Sequence, residues 1–218
     1  MKLVSNEPEK FKVFAVAWYK AKFGDGHALD DGISTYSMIA NVVAAIAQFD
    51  FAAAAQLMRL RFSHCEIWEP DELGRFVLYD KKNKLRGTCF TSTMRGGAKG
   101  TVLREASKVF THPARWTVTF LAAREEDYLE AVQWRDEQVA KNTGYNMRTI
   151  LEFFNPFRKT LVDEENTSHI CSVASQGWCW KCRLFDTWRV WTPLRFWWML
   201  RKRYNCHLQE LEDILGQR

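Results

Sequence analysis

Between residues 62 and 122, short runs of β-branched and aromatic residues alternate with turn residues. That spacing predicts an antiparallel sheet made mostly of sequential neighbours. Phe62 to Trp68 (FSHCEIW) is the first run. Strand alternation places His64, Glu66 and Trp68 on one face, and Cys65 and Ile67 on the other. Pro70-Asp71-Glu72-Leu73-Gly74 turns the chain, and Arg75 to Asp80 (RFVLYD) returns. Lys81-Lys82-Asn83-Lys84 reads as a solvated hairpin tip. Arg86 to Thr93 is the next strand, running out into Arg95-Gly96-Gly97, and Arg115 to Ala122 is the last. Upstream, Lys12 to Tyr19 (KVFAVAWY) reads as a further, buried strand, rich in β-branched and aromatic residues.

The remaining segments read as helices, so the expected class is α+β. Residues 34–61 are alanine-rich and free of proline, which predicts a helical insertion with a packing role. Arg124 to Lys141 starts acidic and ends basic, as suits the helix dipole, and Asn142-Thr143-Gly144 stops it. Tyr145 to Phe154 is apolar and helical until Asn155-Pro156 breaks it. A polar loop then leads into His169-Ile170-Cys171-Ser172-Val173-Ala174-Ser175, where a helix begins. Thr192-Pro193 is a further helix start, cap then first-turn proline. Gln209 to Leu215 reads as a short helical piece. The expected organisation is one domain over 1–218, with the insertion at about 34–61 and a helical C-terminal extension at about 178–218.

Composition narrows the function classes. The formal charge of +5 is too small to argue for nucleic acid as a partner, and none is expected. Hydrophobic residues make up 47%, yet no apolar run reaches the length of a membrane span. The first residues lack the apolar core of a signal peptide, so the expectation is a cytoplasmic protein whose six cysteines are reduced thiols.

Cys171 carries the chemistry. A thiol in the first turn of a helix faces unsatisfied N–H groups and the positive dipole end, and both favour a thiolate. His64 on its strand can supply the base. Two rival readings use other residues. Cys179 and Cys182 have metal-ligand spacing, with Cys206 further on, but adjacent Cys206 and His207 point apart and leave zinc short of a clean ligand set. No cofactor is expected. Trp178, Trp180, Trp188, Trp191, Trp197 and Trp198 are interleaved with Lys and Arg, as in a module that touches a membrane surface. Because they spread over more than one helical face, aromatic packing on the sheet is the favoured reading.

Five short motifs occur in an order that points to a family. Ser63-His64-Cys65-Glu66-Ile67-Trp68 resembles an "SHxEI" strand. Thr91 to Gly97 resembles the strand end and glycine turn that follow it. Gly144 to Leu151 resembles "G-x-Y-D-x-x-x-I-L", with Asn146 in place of the acid. His169-Ile170-Cys171-Ser172 resembles "xxCSE", with Val173 in place of the acid, and Thr192-Pro193-Leu194 resembles "SPxxL". Together, over about residues 62 to 200, they resemble the circularly permuted papain-like proteins of the NlpC superfamily, which include the lecithin retinol acyltransferase group. The resemblance implies a papain-like antiparallel sheet with packed helices, with Cys171 as nucleophile and His64 as general base. It places Tyr145 near the oxyanion site and an orienting third residue near Thr91 or Ser92. Glu66, on the same face as His64, could take the orienting role or line the substrate pocket. It also implies a hydrolase of amide or ester bonds, with cell-wall peptide as the leading substrate and lipid or acyl-amide substrates next, in a bacterial or phage setting. The alternative is a papain-like binding protein without activity.

Overall fold

The computed structural model describes residues 10–20, 62–79, 84–93, 100–145, 168–189 and 191–216. The expected helices at 34–61 and 146–154, and the turns at 81–83 and 94–99, lie outside the described residues.

The fold is α+β, built on one six-stranded antiparallel sheet. Its strands are β1 (Phe11–Lys20), β2 (Phe62–Glu69), β5 (Thr88–Thr93), β6 (Gly100–Glu105), β7 (Trp116–Arg124) and β10 (Gln209–Glu210), in the order β10-β7-β1-β2-β5-β6. β1 lies inside the sheet, paired with β2 and β7. Phe14 to Tyr19 are consecutively buried, which requires cover on both faces. On one face Phe14, Val16 and Trp18 join Ile67, Phe90 and Trp178 in the larger core cluster. Helices α2 (Glu125–Ala140), α3 (Cys171–Lys181) and α4 (Pro193–Tyr204) supply the rest of that cluster. On the other face Ala15, Ala17, Tyr19, Trp68 and Trp116 pack with Phe110, from the end of the short helix α1 (Ala106–Val109), and with Leu211 of α5 (Leu211–Ile214).

Helix ends follow local chemistry. The Thr192 hydroxyl accepts from the Arg195 N–H at 3.2 Å and caps α4. α2 closes in a left-handed residue, Asn142 (φ 49°). There the Asn142 and Thr143 N–H groups return to the carbonyls of Val139 and Gln138.

Three features depart from the sequence-based expectations. Of the expected strand Arg75 to Asp80, the described residues 75–79 do not join the main sheet. Only β3 (Val77–Leu78) is extended, and it pairs with β4 (Lys84–Leu85) in a separate ribbon. Asp71 is the reason upstream: its carboxylate accepts the N–H groups of Leu73 and Arg75 and the Arg75 guanidinium, which holds a compact turn. Second, β6 is a strand with no strand-like signature. Only Gly100 and Thr101 are buried, and the remainder is a half-exposed edge. Third, Gln209 and Glu210 are not helical. They pair with Val118 and Thr117 as an edge strand, and only α5 follows as helix. The C-terminal segment is therefore woven into the sheet, and Trp178, Trp188, Trp191 and Trp197 are buried in the core.

Gly100 starts β6 in a backbone conformation that favours glycine. Its φ is +135°, and a Cβ there would lie 2.3 Å from the Thr143 carbonyl oxygen. Gly100→Ala is expected to destabilise the protein by more than about 1 kcal/mol, read as a lowered urea midpoint at unchanged m-value.

Candidate active site

The site is made where two neighbouring strands part. β2 and β5 pair through Ile67–Phe90, Trp68–Cys89 and Glu69–Thr88, and this pairing does not extend toward His64. Beyond it, the Thr91 hydroxyl donates to the Cys65 carbonyl at 3.1 Å, and the Ser92 hydroxyl donates to the His169 carbonyl at 2.7 Å. These two bonds hold the open strand ends and draw the segment before α3 up to them. A register shift at Tyr19/Lys20 turns β2 at the same place: His64 lies opposite Tyr19, whereas Phe62 pairs with Lys20 and packs in the helix-side core. Bulges of this kind re-aim side chains beside functional sites.

Cys171 is the first residue of α3, and Ile170 at the N-cap contributes no side-chain acceptor. The helix start therefore presents its N–H groups and dipole beside the Cys171 sulfur. Three groups of β2 meet that sulfur: the Cys65 thiol, the His64 imidazole and the Cys65 backbone N–H. Hydrogen bonding from the Cys65 thiol, then the charge and hydrogen bond of His64, hold the Cys171 thiol well below its ordinary range against the opposing effect of burial.

Behind His64 stands a relay. His64 Nε2 lies 3.0 Å from Glu66 Oε1, and the same oxygen accepts from Arg104 Nη2 at 2.6 Å. Glu66 is 1% exposed and His64 5% exposed, so the relay works with little solvent screening. Trp116 packs edge-on against the imidazole at 6.4 Å between centroids. A carboxylate so placed fixes the ring's orientation.

The sequence-derived residues are thus sorted by position. Cys171, His64 and Glu66 come together. Thr91 and Ser92 lie at the same strand opening, with their hydroxyls on the Cys65 and His169 carbonyls. The backbone of Tyr145 lies opposite His169 in the parallel pair of β8 (Gly144–Tyr145) and β9 (Ser168–His169), two residues before Cys171. Its side chain falls outside the described residues.

Sequence reasoning missed two members. Arg104 lies on the strand that carried no signature. Cys65 points to the face opposite His64, yet reaches Cys171 because that sulfur sits at the strand's open edge. The signal for Cys65 was its place in the chain, immediately after the histidine.

Elsewhere, Cys179 and Cys182 are buried, and burial pushes both thiols up from their ordinary range. Among the described residues, no group of three or more His, Cys, Asp or Glu side chains is arranged to hold a metal ion. Nor is any described helix long and apolar enough to cross a membrane. Comparison of the chain with protein-family models, with curated proteins and with solved structures gave no match.

Proposed function

We propose that the chain is a papain-like thiol hydrolase that cleaves amide or ester bonds through a thioester on Cys171. The contact between the Cys171 thiol and the His64 imidazole, with Glu66 behind the ring, is the observation that carries the reading. The thiolate attacks the substrate carbonyl carbon. With Nε2 engaged by Glu66, the other ring nitrogen exchanges the proton, giving it to the leaving amine or alcohol and taking one from the water that hydrolyses the thioester. The Cys171 N–H, first of α3, is a donor for the developing oxyanion, and Tyr145, beside the same segment, is the second candidate. Peptides, with cell-wall peptide first, are the leading substrate class; lipid esters and acyl amides come next. An antiparallel sheet that carries the histidine, crossed by a helix that begins at the cysteine, supports this assignment.

The test is intact-protein mass spectrometry during turnover of an activated p-nitrophenyl ester. The expected result is one acyl adduct on Cys171 that decays at the turnover rate and is absent in Cys171→Ala. Equal ester cleavage by Cys171→Ala, with no adduct in the wild type, would overturn the reading. Glu66→Gln keeps the shape and removes the charge. Hydrogen bonds to charged groups are worth about 1.5–3 kcal/mol, so turnover is expected to fall roughly tenfold to a hundredfold, mostly in kcat.

A further inference from the structure

We infer that Cys65 and Cys171 form a dithiol–disulfide pair, a site of reversible peroxide oxidation that switches the nucleophile off. The two thiols neighbour each other, one on β2 and one at the start of α3, and each acts on the other's charge. On its other side the Cys65 sulfur lies 3.7 Å from the Ser175 hydroxyl, one helical turn beyond Cys171. The second thiol thus faces the same helix end as the nucleophile. The Cys65 backbone N–H also meets the Cys171 sulfur, so both the backbone and the side chain of residue 65 adjoin it.

The two thiols are chemically unequal. Burial, and then the neighbouring Cys171 sulfur, push Cys65 well above its ordinary range, whereas Cys171 is held well below. Cys171 is therefore the thiolate that meets an oxidant, and Cys65 is the resolving thiol. The oxidant is a hydroperoxide. The Cys171 thiolate attacks one peroxide oxygen, the O–O bond breaks, and the departing oxygen takes a proton from the His64 imidazolium. Cys171 is then a sulfenic acid. The Cys65 sulfur attacks the Cys171 sulfur, the S–O bond breaks, and the leaving hydroxyl carries off the Cys65 proton as water. Two thiols have lost two electrons, and hydrogen peroxide has become two waters. A dithiol reductant reverses the step by exchange.

The inference rests on Cys171 being a thiolate activated by His64, and it needs no acyl transfer. The experiment exposes the full-length protein to hydrogen peroxide, blocks remaining thiols with N-ethylmaleimide, and maps peptides without reduction. The expected product is a Cys65–Cys171 crosslink that dithiothreitol reverses. In Cys65→Ser, Cys171 is expected to persist as a sulfenic acid trapped by dimedone and to proceed to sulfinic acid. Overturning results are Cys171 going to sulfinic acid in wild type while Cys65 stays alkylatable, or a crosslink confined to Cys179, Cys182 and Cys206. A protein that crosslinks but forms no acyl adduct loses the proposed hydrolase and keeps the switch. One that forms the adduct but does not crosslink loses only the switch.

Discussion

His64→Ala is expected to lower turnover of an activated ester by about 10²–10⁴-fold, the span that a positioned acid–base group contributes. The loss has two sources. The imidazole's charge and hydrogen bond help hold the Cys171 sulfur ionised, and without them burial raises the thiol. The variant also lacks the group that moves the proton. The two are separable by pH. Raising the pH restores the thiolate and recovers part of the ester rate, whereas an amide, whose leaving group must be protonated, recovers little. His64 packs on Trp116 rather than in the helix-side core. Its removal is therefore expected to leave the fold intact, which circular dichroism and the urea midpoint would confirm.

Arg135→Met is expected to destabilise the protein by about 3–5 kcal/mol at neutral pH, the cost of leaving a buried partner charge uncompensated. Arg135 on α2 pairs with both oxygens of Glu69 at the end of β2, and the Tyr128 hydroxyl donates to the same carboxylate at 3.2 Å. The guanidinium also lies 5.8 Å from the Trp178 ring centroid, so this one side chain ties strand, helix and core together. Burial raises the Glu69 carboxyl above its usual range, while Arg135 pulls it down. Without Arg135 the carboxyl rises further. An acid whose folded pKa is raised stabilises the fold below its unfolded pKa, and that contribution is lost as the pH rises through the folded value. The defect of Arg135→Met is therefore expected to shrink on acidification, and Glu69→Gln/Arg135→Met is expected to recover most of it. A defect equally large at acid and neutral pH, in single and double variants alike, would assign it to lost packing. Urea titrations at the two pH values decide between them.

The elements legible in the sequence were those whose signal is local. β1 and β2 show as β-branched and aromatic runs, α2 as matched charges at its ends, and α4 as Thr192-Pro193. Within the candidate site, Cys171 and His64 were visible because a helix-start thiol and a strand histidine have recognisable surroundings. Glu66 was visible as a candidate because strand alternation puts it on the histidine's face, two residues away. What escaped depends on tertiary placement. β6 is an edge strand, mostly exposed on its outer half, so its residues carry no hydrophobic alternation. Its pairing with β5 is what makes it a strand, and Arg104 came to the site with it. Cys65 was placed by alternation on the wrong side of β2 for catalysis. Only the opening between β2 and β5 lets the start of α3 meet both faces of the strand. Gln209 and Glu210 pair with Val118 and Thr117 of β7, a ladder that no hydrophobic alternation in so short a segment records.

The most direct test of the central claim is the rate at which iodoacetamide alkylates Cys171 as a function of pH, resolved from the other five cysteines by peptide mass spectrometry, in wild type and His64→Ala. The predicted result is an apparent thiol pKa at Cys171 below that of an ordinary cysteine, shifted upward in His64→Ala, while Cys89, Cys179, Cys182 and Cys206 do not change. Slow labelling of Cys171, with the pH dependence of an unactivated thiol and no response to His64, would contradict the account.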